Sequence, residues 1–343
     1  MKRQEHSGVL VVLVGMMLLT LPLCGWTQFT FTTNDDHTIT ITGYTGTNDN
    51  VVIPGSTNGY PVTVIGSWAL ANSANLTSVV IPEGVLIIGD DAFNGCTSLT
   101  TVTMPSTVKS IEALAFYDCY DLTNLTIPSN VTNIGNVAFS FCTSLNSVII
   151  PSGVTSIGKW VFGSCSSLTN ITLPNNITNI GEGAFGSCIS LINFTIPSNV
   201  ISIGNDAFGW CISLTNLMIP NSVAVIGEGA FANCTGLIGV SIPNSITNIG
   251  ANTFYGCSSL TSFVIPSGVI NIGNNAFDFC AGLTNIAIPD SVTSIGSWAF
   301  GSCGNLANIT IPKSVTIIGN YTFGFCANMH QAFFPRERAE CPA

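Results

Sequence analysis

Cysteine is the residue type with the widest chemical reach in this chain, because a thiol can form a disulfide, ligate a metal or act as a nucleophile. The sequence has 13 cysteines, and eleven of them recur with a 23-residue period from Cys96 to Cys326. This spacing gives each repeated unit one thiol, without a C-x-x-C pair and without a histidine inside the repeats. The pattern disfavours a metal site, and we expect neither a metal nor a cofactor.

Two arrangements of this cysteine column remain open. If the units stack as strands, neighbouring cysteine Cα atoms lie about 4.8 Å apart, a distance that disulfides permit. Stacked side chains point the same way, so their Cβ atoms also stay about 4.8 Å apart, beyond the usual ~3.5–4.5 Å of a disulfide. We therefore favour a buried ladder of free thiols, since buried cysteine packs as a small apolar residue.

Catalytic side chains are scarce and scattered. Outside residues 1–27 the only histidines are His37 and His330, which lie at opposite ends of the repeats. A Ser-His-Asp or Cys-His arrangement needs a histidine beside its nucleophile. The carboxylates Asp90 and Asp91 could serve glycoside cleavage, but acidic residues also suit solvated turns. We expect that the protein is not an enzyme.

Composition excludes one class of partner. Charged residues make up only 7% of the sequence and the net charge is −10, whereas apolar residues reach 46%. Lysine and arginine are not clustered, and phosphate-backbone binding relies on such clusters. We expect no nucleic-acid partner, and a surface covered mainly by Thr, Ser, Asn and Gly.

Residues 1–27 have the features of a secretory signal peptide. Lys2 and Arg3 precede an apolar run that is short and close to the N-terminus. We place cleavage near Thr27; a lipoprotein signal ending at Cys24 is the alternative. No later segment is apolar enough to span a bilayer. The sequence therefore predicts a secreted or cell-surface (extracellular) protein.

A 23-residue period organises the remaining chain. A proline recurs at this interval from Pro82 to Pro335, which indicates one short unit copied in tandem. Alternating apolar and polar residues predict two short strands in each unit. A glycine such as Gly135 follows, and we interpret it as a left-handed turn. The recurring phenylalanine and cysteine lie on a return segment, predicted as a short helical turn with its phenylalanine in the core. The pattern predicts a β-rich solenoid.

The repeated unit reads Leu-Thr-x-Ile-x-Ile-Pro-x-x-Val-Thr-x-Ile-Gly-x-x-Ala-Phe-x-x-Cys-x-x, and eleven copies fit it, from Leu76 to the copy that begins at Leu306. This unit resembles the BspA-like form of the bacterial leucine-rich repeat, which has Ile-Pro, Ile-Gly, Ala-Phe and Cys-x-x-Leu at matching positions. The resemblance spans roughly residues 50–335. It implies a leucine-rich-repeat-like stack of coils in a secreted or surface-exposed, non-enzymatic protein, with adhesin-like binding of host proteins in characterised relatives.

The ends of the repeat region depart from the consensus. Residues 28–75 are predicted to form an N-terminal β-hairpin cap and an irregular first repeat. Residues 76–328 hold the eleven tandem repeats, and residues 329–343 hold a partial repeat and a charged tail. With residues 1–27 as signal peptide, the chain is divided into four parts.

A ligand face is predicted where the return segments vary. Exposed aromatic residues can anchor protein or sugar partners, although the same side chains could instead shield the ridge between coils. The candidates stand just before the Ala-Phe pair or just before the cysteine, and are Trp160, Trp210, Trp298, Phe141, Phe279 and Phe325.

The sequence is consistent with two classes of function. The first is a non-catalytic interaction module, adhesin-like, that binds a protein or polysaccharide through one face of the solenoid. The alternative is a structural protein that self-associates end to end through an open C-terminal coil. Ice binding through the regular threonine rows is a remote third hypothesis.

Overall fold

The structure is a computed structural model that describes residues 28–333. These residues form a β-solenoid in which successive 23-residue units stack as coils. The predicted signal peptide and the end of the charged tail lie outside the described residues. Within residues 28–333 there is no α-helix, and hence none that could cross a membrane.

All coils but one contribute a first strand shortly before the proline, where apolar residues alternate with polar ones; in the coil of Pro197, Asn193 instead forms a single bridge to Asn216. The strands pair in parallel with a register of one unit, as Ser78 does with Thr101. Proline ends the pairing because it has no N–H to donate. The first strands are Asn50–Val52, Ser78–Val80, Thr101–Thr103, Asn124–Leu125, Ser147–Ile149, Asn170–Thr172, Asn216–Met218, Gly239–Ser241, Ser262–Val264, Asn285–Ala287, Asn308–Thr310 and Gln331–Phe333.

A second strand follows each proline and builds a second parallel ladder. Its inward residue is usually isoleucine, and Ile157 pairs with Ile180 in the next coil. The second strands are Tyr60–Ile65, Ile87–Ile88, Ser110–Ile111, Asn133–Ile134, Ser156–Ile157, Asn179–Ile180, Ser202–Ile203, Val225–Ile226, Asn248–Ile249, Asn271–Ile272, Ser294–Ile295 and Ile317–Ile318.

The predicted hairpin cap is confirmed. Phe29–Thr33 and Ile39–Tyr44 pair antiparallel, and the latter strand then pairs in parallel with Tyr60–Ile65 of the first coil. A short strand, Ser56–Thr57, folds back on Tyr60–Ile65 within the five-residue insertion. The hairpin therefore covers the edge of the second-strand ladder, an edge that would otherwise be open to pairing with another chain.

The return segment differs from the short helical turn expected from the sequence. It is a run of tight turns in which alternate backbone N–H groups bond within the coil and to the next coil. The N–H of Ala138 donates to the carbonyl of Gly135 in the same coil, while the N–H of Phe139 donates to the carbonyl of Val161. This alternation satisfies the backbone polar groups without a helix.

The core is built around the phenylalanine column, as the sequence predicted. Rings from Phe93 to Phe323 stack coil upon coil with centroid distances of 5.0–5.9 Å and interplanar angles of 1–22°. Such offset stacking adds to the free energy gained by removing the rings from water.

The cysteine column lies beside these rings as free thiols, all buried except the half-buried Cys326. Each sulfur lies 3.1–3.3 Å from a carbonyl oxygen of the preceding coil, as Cys188 Sγ does from the oxygen of Phe162. Burial raises the pKa of the Cys165 thiol to about 12. Since the thiolate is the reactive form, these cysteines are suited to packing and not to chemistry.

The interpretation of the recurring Ile-Gly glycine as a left-handed turn was wrong. None of these glycines has a positive φ. A Cβ added to Gly204 would lie 2.5 Å from the backbone nitrogen of Glu182, and one added to Gly181 would lie 2.7 Å from the carbonyl carbon of Gly158. Glycine recurs because adjacent coils bring their backbones together at this point, which leaves no room for a side chain.

Candidate functional site

Left-handed backbone occurs instead at two other positions in every coil. One position precedes the Ala-Phe pair and the other precedes the cysteine. We call the first set the upstream turn column and the second set the downstream turn column, and the surface that they form the turn face. Glycine, asparagine and aspartate suit such backbone, whereas most L-residues are destabilised in it by roughly 1–2 kcal/mol.

The two columns differ in sequence along the solenoid. The upstream turn column contains Trp68, Asp91, Leu114, Val137, Trp160, Gly183, Asp206, Gly229, Asn252, Asn275, Trp298 and Tyr321. The downstream turn column contains Asn72, Gly95, Asp118, Phe141, Ser164, Ser187, Trp210, Asn233, Gly256, Phe279, Ser302 and Phe325.

All six residues predicted for the ligand face lie in these columns, with φ between 52° and 64°. Large aromatic side chains therefore occupy backbone positions that disfavour them locally. Strained residues of this kind concentrate at functional sites, where the surrounding structure holds them in place. The sequence identified these residues as aromatic outliers, but it gave no sign that their backbone was left-handed.

The six side chains differ in exposure. Phe141, Trp160, Trp210, Phe279 and Phe325 are 36–80% exposed, whereas Trp298 is only partly exposed. They are spread along the solenoid, and the structure brings together just one pair among them, Trp298 and Phe325, whose ring centroids are 5.8 Å apart. The predicted face is therefore a row of separate contact points on the turn face.

Three tyrosines that the sequence reasoning missed complete these contact points. Tyr117 lies edge-on to Phe141, Tyr255 lies edge-on to Phe279, and Tyr321 stacks on Trp298 at 5.0 Å. These contacts could have been predicted, because each tyrosine and its partner ring are one repeat unit apart in the sequence, with an offset of zero or one residue. An aromatic residue at one of these positions predicts contact with its counterpart in the next coil.

Trp160 and Trp298 lie flat against glycine backbone. A Cβ added to Gly163 would lie 2.6 Å from Cε3 of Trp160, and a Cβ added to Gly186, in the next coil, would lie 2.9 Å from its Cζ3. The indole thus covers two coils and leaves part of its surface to solvent. A flat, rigid and partly exposed indole has the form of an anchor for a sugar ring or an apolar side chain.

The opposite surface, formed by the outward residues of the first strands, is a second possible face. Asparagine, serine and threonine dominate it, but Ile149, Met218 and Val264 are 71–81% exposed there. A groove of about 460 Å³ runs between Asn124 and Ile149, where two neighbouring first strands belong to separate sheets. In the coils from Asn50 to Thr310, the outward positions of this strand face lack aromatic residues that could anchor a ligand.

Carboxylates approach one another at one place on the turn face. Burial, followed by the negative charges of Glu182 and Glu228, raises the pKa of Asp206 above its ordinary value. Glu182 is itself paired with Lys159 at 2.9 Å. Within residues 28–333 no group of three or more acidic, histidine or cysteine side chains is arranged to hold a metal ion.

Asp206→Asn is expected to stabilise the protein at pH 7. A raised pKa means that the folded state binds the Asp206 proton more tightly than the unfolded state, so ionisation costs stability as pH rises through the folded pKa. Asparagine does not ionise and therefore removes this cost in stability. The same left-handed backbone already accommodates asparagine at Asn252 and Asn275 of this column. Thermal unfolding should show a Tm a few degrees higher at pH 7. The gain should vanish near pH 2, where aspartate is protonated in both states; an equal gain at both pH values would contradict this account.

Comparisons with known proteins agree with the architecture. The BspA type leucine-rich repeat region matches residues 63–191, 155–277 and 247–341. A leucine-rich cell surface protein from Faecalibacterium prausnitzii is 33% identical, with 91% of this chain and 94% of that chain covered and a TM-score of 0.53. A leucine-rich repeat protein from Bacteroides ovatus is 30% identical, with 89% and 92% covered and a TM-score of 0.63. No curated protein matches the chain.

A more distant structure shows the same fold. The pneumococcal vaccine antigen PcpA is 19% identical, with 90% of this chain and 96% of that chain covered and a TM-score of 0.58. The repeat profile covers most of the chain, and two structures at 30% identity or more span nearly its whole length. The chain therefore belongs to the BspA-type leucine-rich repeat family.

Proposed function

We propose that this protein is a non-catalytic binding module displayed on or released from the cell surface, where it attaches to an extracellular protein or glycan through its turn face. The observation that carries the proposal is the placement of six exposed or partly exposed aromatic residues in left-handed backbone. Their side chains are not needed to fill the core, which the phenylalanine column already occupies. Their backbone is locally unfavourable, so a use outside the core gives a reason for their presence.

Family and chemistry support a binding role over an enzymatic one. The Faecalibacterium protein is described as a cell surface protein, and PcpA as a vaccine antigen. The described residues contain two histidines, His37 and His330, at opposite ends of the coils. The buried thiols have raised pKa values and are poor nucleophiles.

The turn face is favoured over the strand face because of its aromatic residues. Tryptophan and tyrosine are enriched among residues that dominate binding energy at interfaces, and aliphatic side chains such as Val264 are not. The two turn columns distribute these aromatic residues along the length of the solenoid. A ligand that follows the turn columns could contact several of them at once, which raises its overall affinity.

The test compares two variants, one on each face, on arrays of purified matrix glycoproteins and polysaccharides. In the turn-face variant, Asn replaces Phe141, Trp160, Trp210, Phe279, Trp298 and Phe325, since Asn occurs naturally in both turn columns. In the strand-face control, Thr replaces Ile149, Met218 and Val264, since Thr172 and Thr310 occupy the same column.

We expect the wild-type protein to bind at least one array component, the strand-face control to bind it equally well, and the turn-face variant to lose binding by 100-fold or more, on the order of two hot-spot residues. Circular dichroism should show that both variants keep the β-solenoid. Loss of binding in the strand-face control with retention in the turn-face variant would overturn the proposal.

The end-to-end stacking predicted from the sequence stays a prediction. Residues 334–343 lie outside the described residues.

A further inference from the structure

A second, longer repeat is superimposed on the 23-residue period. The aromatic residues Tyr117, Phe141 and Trp160 lie on three successive coils, and we call them the first triad. Tyr255, Phe279 and Trp298, the second triad, occupy the same positions of the unit six coils later. The core does not require this recurrence, because the coils between the triads hold Gly, Ser, Asn or Asp at most of the same positions.

The tyrosine and phenylalanine of each triad meet with the same geometry. Tyr117 and Phe141 have ring centroids 5.6 Å apart and an interplanar angle of 74°. Tyr255 and Phe279 have centroids 5.5 Å apart and an angle of 67°. In both pairs the two rings are steeply inclined to each other across adjacent coils, an edge-to-face arrangement that aromatic pairs prefer.

A glycine joins the tryptophan to this pair in the same way in both triads. The carbonyl of Gly163 accepts the N–H of Phe141, and a Cβ on Gly163 would lie 2.6 Å from Trp160 Cε3. The carbonyl of Gly301 accepts the N–H of Phe279, and a Cβ on Gly301 would lie 2.7 Å from Trp298 Cε3. In each triad, therefore, one glycine both contacts the tryptophan ring and accepts a hydrogen bond from the phenylalanine backbone of the preceding coil.

Charged neighbours are not shared between the triads. Asp118 and Lys159 flank the first triad, and the corresponding residues of the second are Gly256 and Ser297. Conversely, Asp278 beside the second triad corresponds to Ser140 beside the first. A copied block of six coils would carry its charges as well as its aromatic residues. The aromatic residues recur at all three positions while the charged neighbours differ, so the property common to both triads is uncharged and aromatic.

From these observations we infer that the two triads are equivalent binding sites for a linear, uncharged polysaccharide, each taking one short stretch of the same polymer. The inference rests on the proposed function and specifies its ligand. Aromatic rings stack on the C–H face of a sugar ring without needing a charge on the ligand, and Trp and Tyr provide an apolar body with a polar tip. Two sites with the same aromatic arrangement suit a ligand with identical units, whereas a folded protein offers a different surface to each site.

The distance between the triads suits a polymer. Between Phe139 and Phe277 the core rings advance in six steps of 5.4–5.9 Å. At the spacing of neighbouring strands, ~4.8 Å, six coils place the sites roughly 30 Å apart. One extended chain can reach both, and simultaneous binding raises affinity by about 10²–10⁴-fold over one site.

The two sites differ in one respect that the experiment can use. Tyr321 and Phe325 stack on Trp298 at 5.0 and 5.8 Å, whereas Gly183 and Ser187 stand at the corresponding positions beside Trp160. Gly183 and Gly186 of the next coil lie against one face of the Trp160 indole, but no aromatic ring stacks on it, and Trp160 is the more exposed of the two indoles. We expect the first triad to bind a short oligosaccharide more tightly than the second.

The test begins with affinity electrophoresis in gels that contain mixed-linkage β-glucan, galactomannan, arabinoxylan or pullulan, with polygalacturonate as a charged control. Three variants are compared with the wild type: Phe141→Asn with Trp160→Asn, Phe279→Asn with Trp298→Asn, and all four substitutions together. Asparagine is natural in both turn columns, so these changes relax the backbone. The strand-face control described above, with Thr in place of Ile149, Met218 and Val264, serves again, because these residues lie outside both turn columns.

We expect at least one neutral polymer to retard the wild type and the strand-face control equally. Each single-triad variant should bind that polymer 10-fold or more weakly, and the four-substitution variant should run as in a gel without polymer. Titration calorimetry with the matching hexasaccharide should give two sites in the wild type and one in each single-triad variant.

Two results would overturn the inference. The first is retardation of the four-substitution variant equal to that of the wild type. The second is absence of retardation by every neutral polymer. If the same protein then binds a purified matrix glycoprotein through its turn face, the proposed function stands and only the assignment of a polysaccharide fails; if it binds neither, both fail.

Discussion

Replacing Phe208 with alanine is expected to lower the free energy of unfolding by about 3–5 kcal/mol. Phe208 is fully buried and lies between Phe185 and Phe231, with ring centroids at 5.4 and 5.5 Å. Phe194, from the first-strand side of the core, meets the same ring edge-on at 4.8 Å. Alanine would remove three ring contacts and leave a cavity between coils that pack along one axis and cannot close it from the side.

Phe208→Leu is the matched control, because Leu70 occupies the same column in the first coil. We expect it to cost less than half as much as alanine, since most of the apolar volume is kept. Urea unfolding followed by circular dichroism measures the free energy of unfolding of both variants. In a stack whose coils contact only their neighbours, Phe208→Ala should also split the unfolding curve into two steps as the coils on either side lose their coupling. An unchanged single transition would show that the ring column contributes little to stability.

Gly204→Ala is expected to destabilise the protein by about 3 kcal/mol through steric overlap. The added Cβ would lie 2.5 Å from the backbone nitrogen of Glu182 and 2.6 Å from the carbonyl carbon of Gly181. These atoms belong to the backbone of the preceding coil, so no side chain can rotate away. The two coils would have to separate, which weakens the hydrogen bond from the N–H of Gly204 to the carbonyl of Ile180, now 2.8 Å long.

Gly304→Ala provides the matched control in another part of the coil. A Cβ added to Gly304 would meet no atom within 4 Å, and the residue does not have a positive φ. We expect its midpoint in urea to stay within the error of the wild type. An equal loss of stability in both glycine variants would show that contact between coils is not its cause, because the effect of Gly→Ala on the unfolded chain is stabilising.

The period of the sequence was enough to predict the coils and their core. The residue types of Phe116, Cys119 and Leu122 recur at the same positions of the repeated units, and these residues are buried. Only a stacked core requires side chains of the same shape in every coil. The N-terminal hairpin was also predictable, because a polar turn between two segments of alternating apolar and polar residues is typical of a hairpin.

The turn face could not be predicted in the same way. The sequence suggested Gly135 as the left-handed residue, whereas left-handed backbone lies at Val137 and Phe141. Propensity favours glycine for such backbone, but the hydrogen bonds between coils determine where it occurs. Gly135 is required for a different reason, the approach of the Glu112 and Ala113 backbone. Contacts between coils cannot be predicted from the sequence of a single unit.

The two triads show a related limit. Trp160 and Trp298 were recognisable as aromatic outliers, but their relation to Tyr117 and Tyr255 depends on which positions of adjacent coils face each other. Aligning the sequence with itself at an offset of six units reveals the recurrence of these aromatic residues. The recurrence becomes visible only when the residues that every unit shares, which the core requires, are left out of the comparison.

The hairpin at the N-terminus has a consequence for how this chain folds. Coils that are nearly identical can each dock on the wrong neighbour, one unit or more out of place, and the mistake would bury almost as much apolar surface as the correct arrangement. Phe29–Thr33 and Ile39–Tyr44 form a hairpin that pairs with the first coil, whose five-residue insertion makes it unlike the others. The hairpin thus gives assembly a defined starting point. Coils can then add one after another in the order of synthesis, with each new edge presenting a single unambiguous place for the next.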